Sequence, residues 1–168
     1  MNKLIIGAML TAAALLLSSC SIGGSRTDML NKSNDDELIN ARLEQIIEVI
    51  ENSDKDSIKA MFSDDARDEA EDIDGGIERL FNLFPDGIDS WSQISSHTSE
   101  NQNHGQRDKS IGALYNVYVG DKKYWFFILE RFINTENPKE IGLFSIMVVD
   151  DRKKEPYFPS AGIFIAVE

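Results

Sequence analysis

Ile111-Gly112-Ala113-Leu114-Tyr115-Asn116-Val117-Tyr118-Val119-Gly120-Asp121-Lys122-Lys123-Tyr124-Trp125-Phe126-Phe127-Ile128-Leu129-Glu130-Arg131-Phe132-Ile133 is the stretch whose reading decides the fold. Ile111 to Val119 is rich in β-branched and aromatic residues and predicts a strand. Gly120-Asp121 supplies a tight turn, because glycine reaches positive φ at little cost. Tyr124 to Ile133 then runs back as a second long strand. Its aromatic residues occupy adjacent positions, and adjacent positions in a strand face opposite sides of the sheet. Both faces of this strand are therefore expected to be covered.

Working outward, Asn134 to Lys139 reads as a polar turn and Ile141 to Val149 as a third strand. Asp150 to Glu155 reads as a charged, exposed segment, and Gly162 to Val167 as a last short strand. In the other direction, residues 100–110 contain no large apolar side chain and read as a loop. Ile88 to Ser99 reads as extended.

Before Gly87 the apolar period changes from two to nearly four. Leu38, Ile39, Leu43, Ile46, Ile47 and Ile50 mark a helix, with Asn34 or Asp35 as its cap. Ser53-Asp54 and Ser63-Asp64 predict caps of two shorter helices. Ala66, Ala70 and Ile73 face inward on the second of these, and Gly75-Gly76 is expected to end it. Ile77, Leu80, Phe81 and Phe84 form a fourth stripe, closed by Pro85 and Gly87. Helices first and an antiparallel sheet afterwards define an α+β domain over residues 36–168. Residues 20–35, rich in Gly, Ser and Asn, read as a flexible tether reaching on the order of 20 Å.

Lys3 precedes an apolar run, Leu4 to Leu17, broken only by Gly7 and Thr11. That run falls short of the roughly 20 residues needed to span a bilayer. It fits an export signal over residues 1–19 instead. Leu17-Ser18-Ser19-Cys20 resembles the lipobox of bacterial lipoproteins. The resemblance implies cleavage before Cys20 and a diacylglycerol on its thiol. The expected setting is the outer face of a cell membrane, with palmitate among the acyl chains. Cys20 is the only cysteine, so no intramolecular disulfide competes for it.

The chain carries 17 basic and 29 acidic residues, a net charge of −12. That excludes nucleic-acid binding through a basic surface and docking by charge onto anionic lipid. The expected partners are the membrane, through the lipid, and a second copy of the chain against the open sheet face, unless a tail such as Tyr157 to Val167 folds back over that face. A small apolar ligand is also expected. No Cys/His zinc spacing, phosphate-cradling glycine loop or nucleophile motif occurs, and no cofactor is expected. The acids Asp64, Asp65, Asp68, Glu69, Glu71, Asp72 and Asp74 suggest calcium. However, Asp72-Ile73-Asp74-Gly75-Gly76 lacks the spacing of a calcium loop, and a solvated acidic helix face explains them.

Asp54 to Ser63, Glu69 to Phe81, Ser90-Trp91, and Thr135-Glu136-Asn137-Pro138 followed by Ile141-Gly142 together resemble a family of uncharacterised lipoproteins of Gram-positive bacteria. This is a domain of unknown function with a nuclear transport factor 2-like (cystatin-like) fold, and the resemblance covers most of residues 36–168. It implies a curved antiparallel sheet wrapped round the N-terminal helices as a cone. Some proteins with such a cone are enzymes, among them ketosteroid isomerase and scytalone dehydratase, and others only bind.

The candidate catalytic groups are His97 with a carboxylate, Asp89 or Glu130. Of Glu130 and Arg131, one should point into the cone, unless the strand end has already reached solvent. Trp91, Tyr115, Trp125 and Arg131 are the candidate pocket lining. His104, in a polar segment, is expected to be solvated. The favoured reading is a non-catalytic domain that binds a ligand or partner. The alternative is a small isomerase- or dehydratase-like enzyme, and a third reading is a structural surface protein with a filled cone.

Overall fold

The computed structural model describes residues 22–151 and 161–166. The signal segment and Cys20 lie outside the described residues. From Asp36 on, the described residues form one compact unit. The first helix, α1, spans Ile22–Glu51. It is followed by α2 (Lys55–Met61), α3 (Asp64–Glu69) and α4 (Ile73–Leu83). Then come β1 (Ser90–Asn103), β2 (Gln106–Val119) and β3 (Lys122–Asn134). A single 3-10 turn, Pro138–Glu140, leads to β4 (Gly142–Asp150), and β5 (Gly162–Ala166) completes the sheet.

The strand order is β1-β2-β3-β4-β5, an open sheet of mixed direction. The first four strands are antiparallel neighbours, but β5 runs parallel to β4. The expected all-antiparallel sheet is thus corrected at its last strand.

α1 lays Ile39, Leu43, Ile46 and Ile50 against the sheet, all 3% exposed or less. Their spacing of four, three and four residues keeps them on one stripe. Burying each such side chain contributes roughly 1.5–3 kcal/mol. Leu38, one position off the stripe, stays exposed. The opposing surface is Ile111, Ala113, Tyr115 and Val117 on β2, Tyr124, Phe126 and Ile128 on β3, and Leu143, Ile146 and Val148 on β4. Phe84 packs edge-on to Tyr124, with ring centres 5.6 Å apart. Among the described residues no helix is long and apolar enough to cross a membrane.

The capping residues act where the sequence places them for α2 and α3. Asp54 accepts from the Ser57 amide and hydroxyl, which hold its carboxyl below the usual carboxylate range. Buried Ser63 accepts from the Ala66 amide at 3.1 Å. Gly75-Gly76, by contrast, does not end a helix. α3 has already stopped at Glu69, and Asp72 caps α4 by accepting from the Gly75 amide. That bond, with Arg79 behind it, lowers the Asp72 carboxyl. Gly76 sits in the first turn of α4, where a Cβ would lie 2.9 Å from the Ile163 Cβ on β5. Close helix–strand packing, not helix termination, accounts for this glycine.

Three further expectations are revised. The stretch 22–35 is helical, so Asn34 and Asp35 lie inside α1 and not at its start. Residues 100–110 are strand rather than loop: β1 and β2 pair as far as Asn103 and Gln106. His104 (φ 49°) and Gly105 (φ 86°) form the two-residue turn between them, which needs positive φ at both positions. Asp150 is buried at the end of β4 instead of exposed.

Candidate functional site

The sheet has two unlike faces, and strand alternation assigns each candidate to one of them. Facing α1, polar groups form a closed network. Asp36 on α1 accepts from Gln93 Nε2 (3.1 Å) and from the Ser96 hydroxyl, both on β1. Asn40 donates to Gln93 Oε1 at 3.4 Å and accepts from the Tyr115 hydroxyl at 3.0 Å. Tyr115 is fully buried, and that burial, with the Asp36 charge nearby, pushes its hydroxyl well above the usual phenol range. Trp91 stands edge-on against it at 5.6 Å.

Deeper along β3, Glu130 is only 2% exposed and receives two hydrogen bonds from Arg42, at 2.8 and 2.6 Å. Glu130 is therefore the member of the Glu130–Arg131 pair that points toward the helices. The strand has not reached solvent there.

Arg131 faces the other way. It pairs with Asp108 at 3.2 Å and contacts Glu140. Glu140 in turn accepts from Asn134 and Asn137, and Asn137 donates to Asp65 at 2.7 Å. The Arg131 charge is thus spent on tying β3 to the 3-10 turn and α3. Three other acids of the suspected calcium cluster behave similarly: Asp64 pairs with Arg67, Asp72 with Arg79 and Asp74 with Lys59. Among the described residues no three His, Cys, Asp or Glu side chains converge.

The structure does not bring the candidate catalytic groups together. His97 pairs with Gly112, which pairs with Leu129, and all three lie on the outward face. Glu130 pairs with Ile111 and Leu143 on the opposite face. A sheet separates them. Asp89 precedes β1, eight residues before His97 and thus roughly 25 Å along the strand. Its carboxylate accepts from the Gly120 amide at 2.6 Å, which pins the β2–β3 turn. The four candidate pocket residues are also divided: Trp91 and Tyr115 face the helices, whereas Trp125 and Arg131 face outward.

The sequence points to an open outward face and a second copy upon it; what it does not reveal is a groove in that face. A groove of about 450 Å³ lies there. Its β1 wall is Ser95, His97 and Ser99, and its apolar side is Leu114, Phe127 and Leu129. Gly112 forms the floor. The signal was available as alternation: Gly112, Leu114, Phe127 and Leu129 fall on the face that Ala113, Tyr115, Phe126 and Ile128 do not use.

Helices on one side of an open, mixed five-stranded sheet define the chain as an α+β domain with one packed and one grooved face. Residues 45–151 match the family described as a domain of unknown function, DUF5104, and the chain belongs to that family. No curated protein and no solved structure matches it.

Proposed function

We propose that the protein is a lipid-anchored, extracytoplasmic binding module, built on a nuclear transport factor 2-like cone, whose recognition surface is the outward face of the sheet. The observation that carries this reading is the groove over Gly112. On the helix side the polar groups named above are bonded to one another and Tyr115 has no exposure, so that side reads as a filled cone. A binding role therefore falls to the other face. The isomerase-like alternative is weakened, because acid–base chemistry needs its groups within hydrogen-bond reach and His97 has neither carboxylate there.

Cys20 is the proposed anchor. Labelled palmitate should enter the wild-type chain and not Cys20→Ala; equal labelling would remove the anchor. For the binding role, native mass spectrometry of protein purified from its host should reveal a retained small molecule. A bare protein under gentle ionisation would favour a purely structural role. A sheet-to-sheet homodimer is a second reading, favoured by the outward-facing aromatic pair Trp125 and Phe127 on β3. Light scattering at micromolar concentration should then give twice the chain mass.

A further inference from the structure

We infer that the outward groove selects an uncharged amphipathic small molecule, apolar along one side and carrying hydroxyl or carbonyl groups along the other. The inference rests on the reading of the outward face as the binding surface.

The two sides of the groove differ in chemistry. Ser95, His97 and Ser99 are spaced two apart on β1, so their side chains stand in one row, and Ser110 on β2 adds another hydroxyl. The row offers hydrogen-bond donors and acceptors without a carboxylate, lysine or arginine. Opposite it, Leu114, Phe127 and Leu129 offer only carbon surface. Gly112 gives the groove its depth. A Cβ there would stand 3.4 Å from the end of the Phe127 ring and 3.7 Å from a Leu129 methyl, so its absence leaves both surfaces open at the floor. The volume, about 450 Å³, lies within the range of small-molecule sites.

Charge complementarity selects a neutral occupant. The chain holds 29 acidic and 17 basic residues, yet among the described residues no acid, lysine or arginine lines this groove. An ion placed there would lose water and meet no carboxylate, lysine or arginine of the described residues, which is costly. The nearest outward cation along β3, Arg131, is already held by Asp108 and Glu140. A second copy fits less well. A two-fold axis through Gly112 would set groove against groove and leave a void, whereas interfaces pack as densely as interiors, so a second copy would need a projecting side chain to fill it.

The test uses the mature chain, residues 20–168 carrying Cys20→Ser, which keeps the apolar signal segment, acyl chains and detergent out of the assay. Nile red, a neutral probe, is bound at pH 7 and then displaced by 1-decanol, decanoate or decylammonium, which share a chain length and differ in charge. Decanol should displace it at a concentration about ten-fold lower than either ion, a difference of roughly 1.4 kcal/mol. Gly112→Val, which fills the floor at a strand position with no positive φ, should abolish Nile red binding while the thermal unfolding midpoint is kept. Equal displacement by either ion overturns the selectivity and leaves the binding module standing. Binding unchanged in Gly112→Val overturns the site. No binding of any probe by the parent chain overturns the binding module and this inference with it. A dimer whose Gly112→Val variant is monomeric assigns the groove to a second copy and overturns the small-molecule occupant.

Discussion

Arg42 on α1 grips Glu130 on β3 through two hydrogen bonds, 2.8 and 2.6 Å long, and the carboxylate they hold is almost wholly buried. The pair fixes the helix over the sheet at a place where the apolar stripe of α1 alone would permit sliding. It also removes Glu130 from the list of groups free for catalysis.

The two partners are not equivalent. Arg42 keeps about a quarter of its side chain exposed, and Glu130 about 3%. Arg42→Met strands a buried carboxylate and should cost about 3 kcal/mol, the low end for breaking a buried pair. Glu130→Gln leaves a guanidinium that can reach water and should cost less. The double change Arg42→Met with Glu130→Met should recover much of the loss. Urea unfolding at pH 7 measures all three; equal costs for the two single variants would contradict the asymmetry.

Tyr115 predicts an alkaline limit to stability. Its hydroxyl titrates higher in the folded chain than in the unfolded one, where its ordinary value is 10. The stability it contributes is therefore complete below pH 10 and is lost as pH rises from there through the raised folded value. Tyr115→Phe should lower stability at pH 7 by about 1 kcal/mol, for the hydrogen bond to Asn40. It should also flatten the fall in stability above pH 10. A parallel fall in both chains would contradict this.

Helix glycines usually gain stability on substitution by alanine, but Gly76 should not. Its new Cβ would meet Ile163 at 2.9 Å, and overpacking of this kind costs roughly 1–3 kcal/mol. Thermal unfolding of Gly76→Ala should therefore fall below the parent. Ser63→Ala, which removes the α3 cap and leaves the Ala66 amide without its acceptor, should cost about 1 kcal/mol.

His97 is exposed and stands on the groove wall. His97→Ala should leave stability within about 0.5 kcal/mol of the parent, as for surface positions generally, and weaken binding of a hydroxyl-bearing probe. Asp89→Ala, which frees the Gly120 amide, should instead lower stability by about 1 kcal/mol and leave binding intact. The reverse pattern would make Asp89 a site residue.

Much of the fold was legible because burial leaves a period. The α1 stripe, the caps Asp54 and Ser63, and the turn at Gly120 follow from local chemistry. Residues 100–110 hide their strands because the far half of the β1–β2 hairpin carries no large apolar side chain and so no alternation; backbone pairing, with Arg107 bonded to Glu100, holds it. The parallel direction of β5 leaves no trace in five residues. Gly75-Gly76 looked like a helix stop because the contact that requires Gly76 comes from Ile163, far along the chain. The candidate site was least legible. Glu130 looked like a strand end because its partner, Arg42, is 88 residues away. His97 and Glu130 are separated by strand parity, which shifts at two bulges, at Ile94 in β1 and at Phe132 in β3.

The proposed recognition surface is the outward face of the sheet and not the space between helix and sheet. Two-dimensional amide NMR of the Cys20→Ser chain titrated with 1-decanol tests it most directly. Shifts should concentrate at Ser95, His97, Gly112, Leu114 and Leu129. Shifts concentrated instead at Asp36, Asn40, Gln93 and Tyr115 would place the ligand between helix and sheet and contradict it.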